Sequence, residues 1–439
     1  MLNFLRKIIP KTLIKLYHYL LAKAANFFYG NPSNKLIIIG VTGTSGKSTV
    51  VYLIVKILEK AGFKVGAAST MLFKVNKKEW LNDKKMTMLG RFALQKMIKG
   101  MVKANCQYAI IETTSQGIEQ YRHLGINYDI LVFTNLWPEH IEAHGSFENY
   151  KKAKLKLFAK LKDEDEKIIA SQKIKKVIIA NMDDENTNDF LGFWAEEKYG
   201  FTLTNKSSDQ ARVIRAENEK VNINGIEFSV DRQPFNLKIL GRHNIYNALA
   251  AVTVGLTQGL SLSSMAEGLV NLNAIPGRTE FIDQGQPYKI IVDYAYEPKS
   301  VASLYETIKL IPHQKVIHVL GSTGGGRDQS SRAVLGQLAA KNANYVIVTN
   351  EDPYDEDQQK IINEVAAGAQ QNGKILDQDL FKILDRRLAI QKALVLAKQD
   401  DLVLITGKGS EQAMVVANNK KIFWDDRQVV KEELDKLMN

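Results

Sequence analysis

The sequence predicts an α/β fold in which a parallel sheet with a phosphate-binding loop is followed by a second, smaller α/β unit. Short apolar runs of the buried-strand type occupy residues 36–39, 108–112, 130–135 and 177–180, with helical periodicity between them. Strands that alternate with helices in this way form parallel sheets that are covered on both faces. After residue 276 the same rhythm restarts, which predicts a second sheet of Rossmann-like type.

The order of these patterns divides the chain into three parts. Residues 1–35 form a basic helical segment, residues 36–275 a central unit and residues 276–439 a C-terminal unit. Within the central unit, residues 201–240 show short alternating strands with an Asn-Gly turn, which predicts a small antiparallel patch. The strands of the C-terminal unit are predicted at residues 289–293, 315–320, 345–349 and 402–406.

The composition is typical of a folded protein in a reducing compartment. Apolar residues make up 45% and charged residues 24% of the chain, so neither a disordered nor a fibrous protein is indicated. The single cysteine, Cys106, excludes a disulfide framework and favours a cytoplasmic protein. The formal charge is +11, and residues 1–35 hold six lysines and arginines and no acid; subtracting these six leaves +5. With no nucleic-acid-binding motif elsewhere, nucleic acid is not expected as a partner.

The N-terminal segment has the pattern of an amphipathic helix. Lysines interrupt its apolar runs, so no stretch reaches the ~20 apolar residues of a membrane-spanning helix. Two interpretations stay open: a helix packed on the next unit with its lysines in water, or a helix within residues 1–30 that makes weak peripheral contact with the anionic inner face of a membrane. The apolar positions are Leu13, Leu16, Leu20, Ala24 and Phe27, and Gly30, Asn31 and Pro32 supply the stop.

A glycine-rich turn between the first predicted strand and the first predicted helix is typical of a phosphate loop. Glycines let backbone N–H groups face phosphate oxygens, and the helix N-terminus adds partial positive charge. Lys47 is expected to reach the β- and γ-phosphates of ATP, and the Ser48 hydroxyl to bind Mg²⁺. The usual first glycine is Val41 here, with Gly43 two residues later. The predicted ATP-binding residues are Gly43, Thr44, Ser45, Gly46, Lys47, Ser48 and Thr49.

Further motifs follow the loop in a definite order. Residues 112–117 (Glu-Thr-Thr-Ser-Gln-Gly) and residues 133–136 (Phe-Thr-Asn-Leu) each end a predicted strand, and Lys154 lies 14 residues after His140. Together with the phosphate loop these motifs resemble the Mur ligases, and among them the enzymes that add the third residue of the peptidoglycan stem peptide. The resemblance extends from about residue 36 to the C-terminus.

The resemblance implies an ATP-dependent ligase that activates a carboxylate as an acyl phosphate and joins it to an amine. It makes Glu112 and His140 ligands of a second Mg²⁺ ion. Lys154 matches the lysine that reacts with CO₂ to form a carbamate, which turns a cation into an anion able to hold this metal. Ser115 and Arg122 match positions that hold the carboxylate substrate.

The resemblance also assigns contacts to the nucleotide. Asn135 and Asn244 would lie near it, and Arg278, in the segment that links the two units, would reach ATP. Asp293 belongs to the next motif, in which Tyr296 replaces the usual histidine.

The motifs for the amine depart from those of the diaminopimelate-adding enzymes. Their Asp-Asn-Pro-Arg, whose arginine grips the distal carboxylate, is Glu-Asp-Pro-Tyr at residues 351–354. Acidic residues surround Asp352, which favours an amine with a cationic end, such as lysine or ornithine, although such a run can also be merely solvated. Gly407 and Glu411 keep the last motif, with Ser410 in place of histidine, and Glu411 would hold the α-amino group of the amino acid.

We therefore predict a ligase that adds an amino acid to a UDP-N-acetylmuramoyl-peptide-type precursor in peptidoglycan synthesis, with ATP and two Mg²⁺ ions. Because only about 35 residues precede the first strand, where the stem-peptide ligases carry a domain that binds the uridine diphosphate, recognition of the UDP group is left open. Three alternatives remain: a lipid-linked or other non-UDP acceptor, a ligase of the folylpolyglutamate or poly-glutamate type, and a nucleotide-gated switch protein without ligase activity.

Overall fold

The first half of the chain builds one large sheet with helices on both faces. The structure, a computed structural model, describes residues 10–139 and 141–438. The helices of this half are α1 (Lys11–Tyr29), α2 (Lys47–Lys60), α3 (Arg91–Lys103), α4 (Ser115–Glu119), α5 (Ile141–His144), α6 (Phe147–Ala159), α7 (Thr187–Leu191), α8 (His243–Thr257) and α9 (Leu262–Val270), with 3-10 turns at Pro32–Lys35 and Lys160–Asp163. Its strands are β1 (Ile37–Thr42), β2 (Val65–Ala68), β3 (Leu72–Val75), β4 (Lys78–Leu81), β5 (Tyr108–Glu112), β6 (Ile130–Phe133), β7 (Lys167–Ile169), β8 (Gln172–Ile174), β9 (Val177–Asn181), β10 (Glu197–Thr202), β11 (Arg212–Arg215), β12 (Glu217–Asn222), β13 (Gly225–Val230) and β14 (Gln233–Leu237).

The sheet brings the ends of three central strands together. Within the described part of the chain, nine strands pair in the order β11-β10-β9-β6-β1-β5-β2-β3-β4. Neighbours from β11 to β2 are parallel, and β3 and β4 form an antiparallel edge. Because the carboxyl ends of parallel strands meet at one edge of a sheet, the segments after β1, β5 and β6 converge there.

Burial on both faces explains why the central strands are continuous apolar runs. In β1, Ile39 and Val41 lie in the apolar cluster that includes α2 and α8, whereas Ile38 lies in the cluster on the opposite face, with residues of α3 and α6. All three side chains are fully buried. Since successive residues of a strand point to opposite faces, a strand covered on both sides has no polar positions to alternate with.

The second half repeats the arrangement on a separate sheet. Its described strands pair in the order β15-β16-β20-β17-β18-β19, in parallel except for β15, with a separate β21-β22 hairpin. The strands are β15 (Glu280–Phe281), β16 (Lys289–Asp293), β17 (Val316–Leu320), β18 (Tyr345–Thr349), β19 (Leu380–Ile383), β20 (Leu402–Thr406), β21 (Ala413–Val416) and β22 (Lys420–Phe423). The helices are α10 (Pro298–Ile308), α11 (Ser330–Asn342), α12 (Gln358–Gln370), α13 (Arg386–Leu396) and α14 (Asp426–Met438), with a 3-10 turn at Ala417–Asn419.

The predicted fold class is confirmed, with one correction inside the antiparallel patch. β12, β13 and β14 form a three-stranded antiparallel sheet. The prediction is wrong for the beginning of residues 201–240, because residues 201 and 202 end β10 and Arg212–Arg215 is β11, and both strands extend the parallel sheet. Polar residues of β11 are tolerated there because it is an edge strand with one neighbour.

Helix α1 is present as predicted, but its apolar stripe faces away from the protein. The helix packs against α3 and ends where Gly30 adopts a left-handed conformation (φ 75°). Its buried residues are small, Ala22 and Ala25. Of all the helices in the described ranges, none is both long and apolar enough to cross a membrane. The side chains of the predicted apolar stripe are exposed: Leu13, Leu16, Leu20, Ala24 and Phe27.

Candidate active site

The phosphate loop joins β1 to α2 and has room only for glycine at two positions. Gly46 precedes α2 with φ 80°, and a Cβ there would lie 2.3 Å from Oδ1 of Asn247. Gly43 has φ 149°, and a Cβ there would lie 2.0 Å from Oγ1 of Thr134. Both positions therefore require glycine for backbone conformation and for close packing. Lys47 folds back over the loop and donates a hydrogen bond to the Thr44 carbonyl oxygen (2.7 Å).

Residues after β6 hold the loop in place. The Ser45 amide donates to Oδ1 of Asn135 (2.8 Å), and Nδ2 of Asn135 donates back to the Ser45 carbonyl oxygen (3.1 Å). The Thr134 hydroxyl donates to the same carbonyl oxygen (2.8 Å). Asn135, predicted to lie near the nucleotide, thus also supports the backbone that would bind its phosphates.

Glu112, at the end of β5, lies directly beside the loop. Its buried carboxylate accepts hydrogen bonds from the Ser48 hydroxyl (2.8 Å), the Thr70 amide (2.8 Å) and the Thr70 hydroxyl (3.0 Å). A hydroxyl and a carboxylate side by side are the oxygen donors that Mg²⁺ prefers when phosphates and waters complete its shell. Ser48 and Glu112 therefore fit one Mg²⁺ ion. Thr70 was not predicted, because no sequence signal links it to Glu112.

A second metal site cannot be read from the described residues alone. Among them, no group of three or more His, Cys, Asp and Glu side chains is placed to hold a metal ion. His140, predicted as a ligand, lies outside the described residues. His144 is described, and its Nε2 lies 3.0 Å from the hydroxyl of Ser115.

Lys154 is buried beneath the phosphate loop. Its side chain is 1% exposed, its ammonium donates to the Gly43 carbonyl oxygen (2.7 Å), and its Nζ lies 4.5 Å from the ring centre of Tyr150. Burial, followed by the positive charge of Lys47, holds the pKa of Lys154 well below its ordinary value. This environment favours an uncharged amine, which is the form that reacts with CO₂.

Two arginines without acidic partners stand at the other end of the site. Arg122 donates to the Met88 carbonyl oxygen and to Oε1 of Gln120 (2.6 Å), and Arg91 donates to the Gln120 carbonyl oxygen. Burial lowers the pKa of both guanidinium groups, and Arg91 lowers that of Arg122 further. Within residues 10–139 and 141–438 neither arginine forms a salt bridge, and the Nε of each is buried without a hydrogen-bond acceptor. Such a pair favours an anionic ligand.

The linker between the halves is organised by buried polar groups. Asp293 accepts hydrogen bonds from the amides of Thr279 and Ala295 (2.6 Å each), and the Arg278 guanidinium lies 4.2 Å from the ring centre of Tyr294. Asn244 donates to the Leu240 carbonyl oxygen (2.7 Å) and accepts from Asn247 (2.8 Å). The hydrogen bonds of Asp293 and Asn244 are therefore with the protein itself, and both residues line the cleft.

These elements enclose one cleft of about 1090 Å³ between the two halves. Gly43 and Lys154 lie behind it, and Asp352, Gly407 and Glu411 line an adjoining cavity of about 80 Å³. Side chains of the second half that sequence reasoning did not assign also line the cleft, among them Lys299 and Arg327. The predicted residues that line it are Thr44, Ser45, Gly46, Lys47, Ser48, Thr49, Glu112, Ser115, Arg122, Asn135, Asn244, Arg278 and Asp293.

Two carboxyl groups face each other across this cleft. Glu139 comes from the first half and Glu297 from the second, and the hydroxyl of Tyr296 lies 3.4 Å from Oε1 of Glu139. Burial, with a further contribution from Glu139, raises the pKa of Glu297 to about 10. Two adjacent carboxyl groups are stable only when they share a proton or face a cation. Glu139 and Glu297 therefore cannot both be ionised in the closed cleft unless a cation lies beside them.

Most of the acidic run at residues 351–357 is already partnered by the protein. Glu356 binds Arg332 (2.7 Å), and Asp357 caps α12 by accepting from the amides at its start. Asp355 accepts from the Asn418 amide (2.6 Å). The expectation that the whole run favours a cationic amine is therefore wrong for these three residues, and it can apply only to Glu351 and Asp352.

Comparison with known proteins gives one consistent result. Residues 41–255 match the Mur ligase middle domain, and residues 277–409 match the Mur ligase, glutamate ligase domain. The UDP-N-acetylmuramyl-tripeptide synthetase of Roseiflexus sp. (strain RS-1) is 35% identical over 423 residues, 95% of this chain and 82% of that protein. The UDP-N-acetylmuramoyl-L-alanyl-D-glutamate–2,6-diaminopimelate ligase of Clostridium tetani (strain Massachusetts / E88) is 34% identical over 427 residues, 95% of this chain and 81% of that protein. A solved structure of a ligase of the latter name superimposes with a TM-score of 0.59 at 26% identity, over 92% of this chain and 79% of that one.

The packing of the phosphate loop makes a testable prediction. Gly46→Ala should weaken ATP binding by a factor on the order of 100, about 2.8 kcal/mol, because the added Cβ meets Asn247 and displaces the loop. Gly62→Ala is the matched control: Gly62 follows the other end of α2 with a similar φ (89°) but has open space around it. Equilibrium titration with a fluorescent ATP analogue measures both variants. Equal affinities in the two variants would contradict the role given to close packing at Gly46.

Proposed function

The chain belongs to the Mur ligase family of ATP-dependent, ADP-forming ligases, and on that premise we propose that it adds an amino acid to a UDP-N-acetylmuramoyl-peptide-type carboxylate in peptidoglycan synthesis. The observation that carries the proposal is the cleft of about 1090 Å³, lined both by a phosphate loop and by Arg122 of an arginine pair that lacks an acidic partner in the described chain. An acyl phosphate is easily hydrolysed, and a cleft between two halves can exclude water when it closes.

In the first step the acceptor carboxylate attacks the γ-phosphorus of ATP, and ADP leaves. Ser115 and Arg122 hold the carboxylate, and Lys47 neutralises the charge that develops on the phosphoryl group. Mg²⁺, when bound by Ser48 and Glu112, supplies further neutralisation of phosphate charge. Arg278, positioned against the ring of Tyr294, reaches ATP from the second half.

In the second step the amine attacks the acyl carbon and displaces phosphate. The small cavity lined by Asp352, Gly407 and Glu411 adjoins the cleft on the side of the second half, so the amine is delivered from there. Arg327 lines both the cleft and this cavity, and its position between them suits the α-carboxylate of the amino acid. The sequence alone assigned no role to Arg327.

We assign to Lys154 a carbamate that helps to hold a second Mg²⁺ ion. Three observations support this: Lys154 is buried behind the phosphate loop, it forms no salt bridge in the described part of the chain, and its family motif is intact. A carbamate would reverse its charge and provide oxygen donors close to Glu112. His140 would complete this donor set.

The role of Lys154 can be tested by substitution. Lys154→Ala should lower the turnover rate roughly a hundredfold or more, with partial recovery in millimolar formate or acetate, because a short carboxylate can replace the carbamate. Lys156→Ala is the control, since Lys156 lies on the same helix but is exposed and pairs with Glu119. Coupled measurement of ADP release reports both. Full activity of Lys154→Ala without added carboxylate would show that no carbamate on Lys154 is needed to hold Mg²⁺.

The reaction itself is tested by phosphate release that depends on an amino acid. The protein is given MgATP and UDP-N-acetylmuramoyl-dipeptide, with lysine, ornithine or diaminopimelate added in turn. We expect release above background with one of the three, and mass spectrometry should find the elongated peptide. If none of the three amino acids causes phosphate release, the UDP-linked acceptor is wrong. The acceptor is then a lipid-linked or other non-UDP molecule, or a substrate of the folylpolyglutamate or poly-glutamate type. ADP release that needs no amino acid would instead support a nucleotide-gated switch.

The exposed face of α1 supports a weak contact with an anionic membrane surface. At about 100° per residue, Leu13, Leu16, Leu20 and Phe27 fall within an arc of roughly 60°, opposite to the small residues that pack on the protein. Phe27 is 85% exposed, and Phe92 of α3 continues the apolar surface beyond the helix. Lys23 borders this stripe and is exposed, as lysines are in helices that lie in a membrane interface, and a lysine near anionic lipid adds about 1 kcal/mol.

Flotation with liposomes tests this contact. The full chain should float with vesicles that contain anionic lipid and much less with zwitterionic vesicles. The double variant Leu20→Glu and Phe27→Glu should stay at the bottom, without a change in thermal stability, because both side chains are already exposed. Phe423→Glu, which alters another exposed aromatic side chain (70%) in the second half, is the control. A wild-type protein that never floats would exclude the membrane contact.

A further inference from the structure

The turn that carries Arg122 has an unusual backbone. It spans residues 120–125 after α4, and the Arg122 amide donates a hydrogen bond to the Gly117 carbonyl oxygen (2.8 Å). Tyr121 has a left-handed conformation (φ 56°), and so does Gly125 at the end of the turn (φ 78°). A bulky residue adopts this conformation only where its surroundings enforce it. The position of the Arg122 side chain therefore depends on the elements that pack against the turn.

Helix α1 contacts the turn near both of its ends. The ring of Tyr19 meets the ring of Tyr121 edge-on, with ring centres 6.0 Å apart and ring planes at 88°. Asn26 lies so close to Gly125 that a Cβ on this glycine would lie 2.6 Å from the Cβ of Asn26. At about 100° per residue, Tyr19 and Asn26 project only about 20° apart around the helix. One side of α1 therefore holds two points of the same turn.

Helix α3 holds the turn from another side. Nε2 of Gln95 donates to the Gly125 carbonyl oxygen (2.8 Å), and Arg91 donates to the Gln120 carbonyl oxygen. The Oε1 of Gln120 accepts a hydrogen bond from the Arg122 guanidinium (2.6 Å). Because α1 packs on α3, a shift of α1 changes the space in which the turn lies, and with it the direction of this guanidinium.

The phosphate loop is supported by other elements. Its glycines are packed against Thr134, after β6, and against Asn247 of α8, and Asn135 accepts a hydrogen bond from the Ser45 amide. Helix α8 belongs to the apolar cluster on one face of the sheet, whereas α3 belongs to the cluster on the opposite face. The elements around the phosphate loop are therefore separate from those around Arg122.

We propose that Tyr19 and Asn26 are positioning residues for the acceptor, which fix the Arg122 guanidinium through residues 120–125. The proposal rests on the proposed ligase function, in which Arg122 holds the acceptor carboxylate. A guanidinium binds a carboxylate through two parallel hydrogen bonds, so its orientation decides the strength of the contact. Acceptor binding therefore depends on α1, and ATP binding does not. This role belongs to the side of α1 that faces the turn and is distinct from the lipid contact proposed for its exposed stripe.

Arginine-specific chemical modification of the full chain tests the position of Arg122 without any substrate. Gly125→Ala brings a new Cβ against Asn26, so the rate at which phenylglyoxal modifies Arg122 should change at least threefold, as measured by mass spectrometry of peptides. The exposed Arg212 of β11 should react at the wild-type rate in every variant. Gly30→Ala is the matched control, because Gly30 has a similar φ (75°) and open space around it. An unchanged rate at Arg122 in Gly125→Ala would overturn the proposal.

An exchange of side-chain size shows whether α1 is responsible. Adding Asn26→Gly to Gly125→Ala removes the atoms that the new Cβ meets, so the modification rate of Arg122 should return to within twofold of wild type. Tyr19→Ala should change this rate at least threefold, whereas Tyr19→Phe should not, because the ring of Tyr19 makes the contact with Tyr121. Failure of the double variant to recover, or equal effects of the two Tyr19 variants, would show that α1 does not position Arg122.

Steady-state kinetics connect this position to the acceptor. With MgATP and UDP-N-acetylmuramoyl-dipeptide, Gly125→Ala should raise the KM of the acceptor at least tenfold, while kcat and the KM of ATP stay within twofold of wild type. An equal rise in the KM of ATP, or a fall in kcat with both KM values unchanged, would contradict the proposal. If even the wild type does not use this acceptor although the modification rates change as expected, the proposed acceptor is wrong and the positioning of Arg122 by α1 stands.

Discussion

The close packing of the phosphate loop at Gly43 and Gly46 is the constraint on which the rest of the nucleotide side depends. Gly43 is packed against Thr134 after β6, and Gly46 is packed against Asn247 of α8. The conformation of the loop therefore depends on its contacts with the segment after β6 and with α8. Through the hydrogen bond from Ser48 to Glu112 it is also tied to β5. One turn of seven residues thus connects the three strand ends and the helix that make up the nucleotide side of the site.

Opposite charges join the two halves at one point of their interface. Nζ of Lys85, in the loop between β4 and α3, lies 2.6 Å from Oδ2 of Asp352 in the second half and also contacts Oε2 of Glu411. Coulomb attraction between such groups is stronger where water is excluded. Lys408 of the second half binds the same two carboxylates, so two lysines from different halves share them.

Local sequence patterns predicted the parts of the site that lie in one stretch of chain. The loop at residues 43–49 could be recognised because strand, turn and helix follow one another, whereas Glu112 was assigned through the resemblance to the Mur ligases. The positions of Lys85 and Arg327 in the cleft could not be predicted, since they depend on contacts with residues more than two hundred positions away or on a cavity formed by both halves. The acidic run at residues 351–357 shows the opposite error, because composition alone cannot tell a helix cap or a salt bridge from a ligand site.

Helix α1 shows why periodicity predicts a helix better than it predicts its orientation. An apolar stripe normally packs on the protein, yet here the packed face carries alanines and the large apolar side chains point outward. The ring of Tyr19 lies 6.0 Å from that of Tyr121, and Tyr121 is adjacent to Arg122. The helix that carries the exposed stripe and the end of the cleft lined by Arg122 are therefore neighbours. Periodicity alone could not show this, because the direction of the stripe depends on which face of α1 packs on α3.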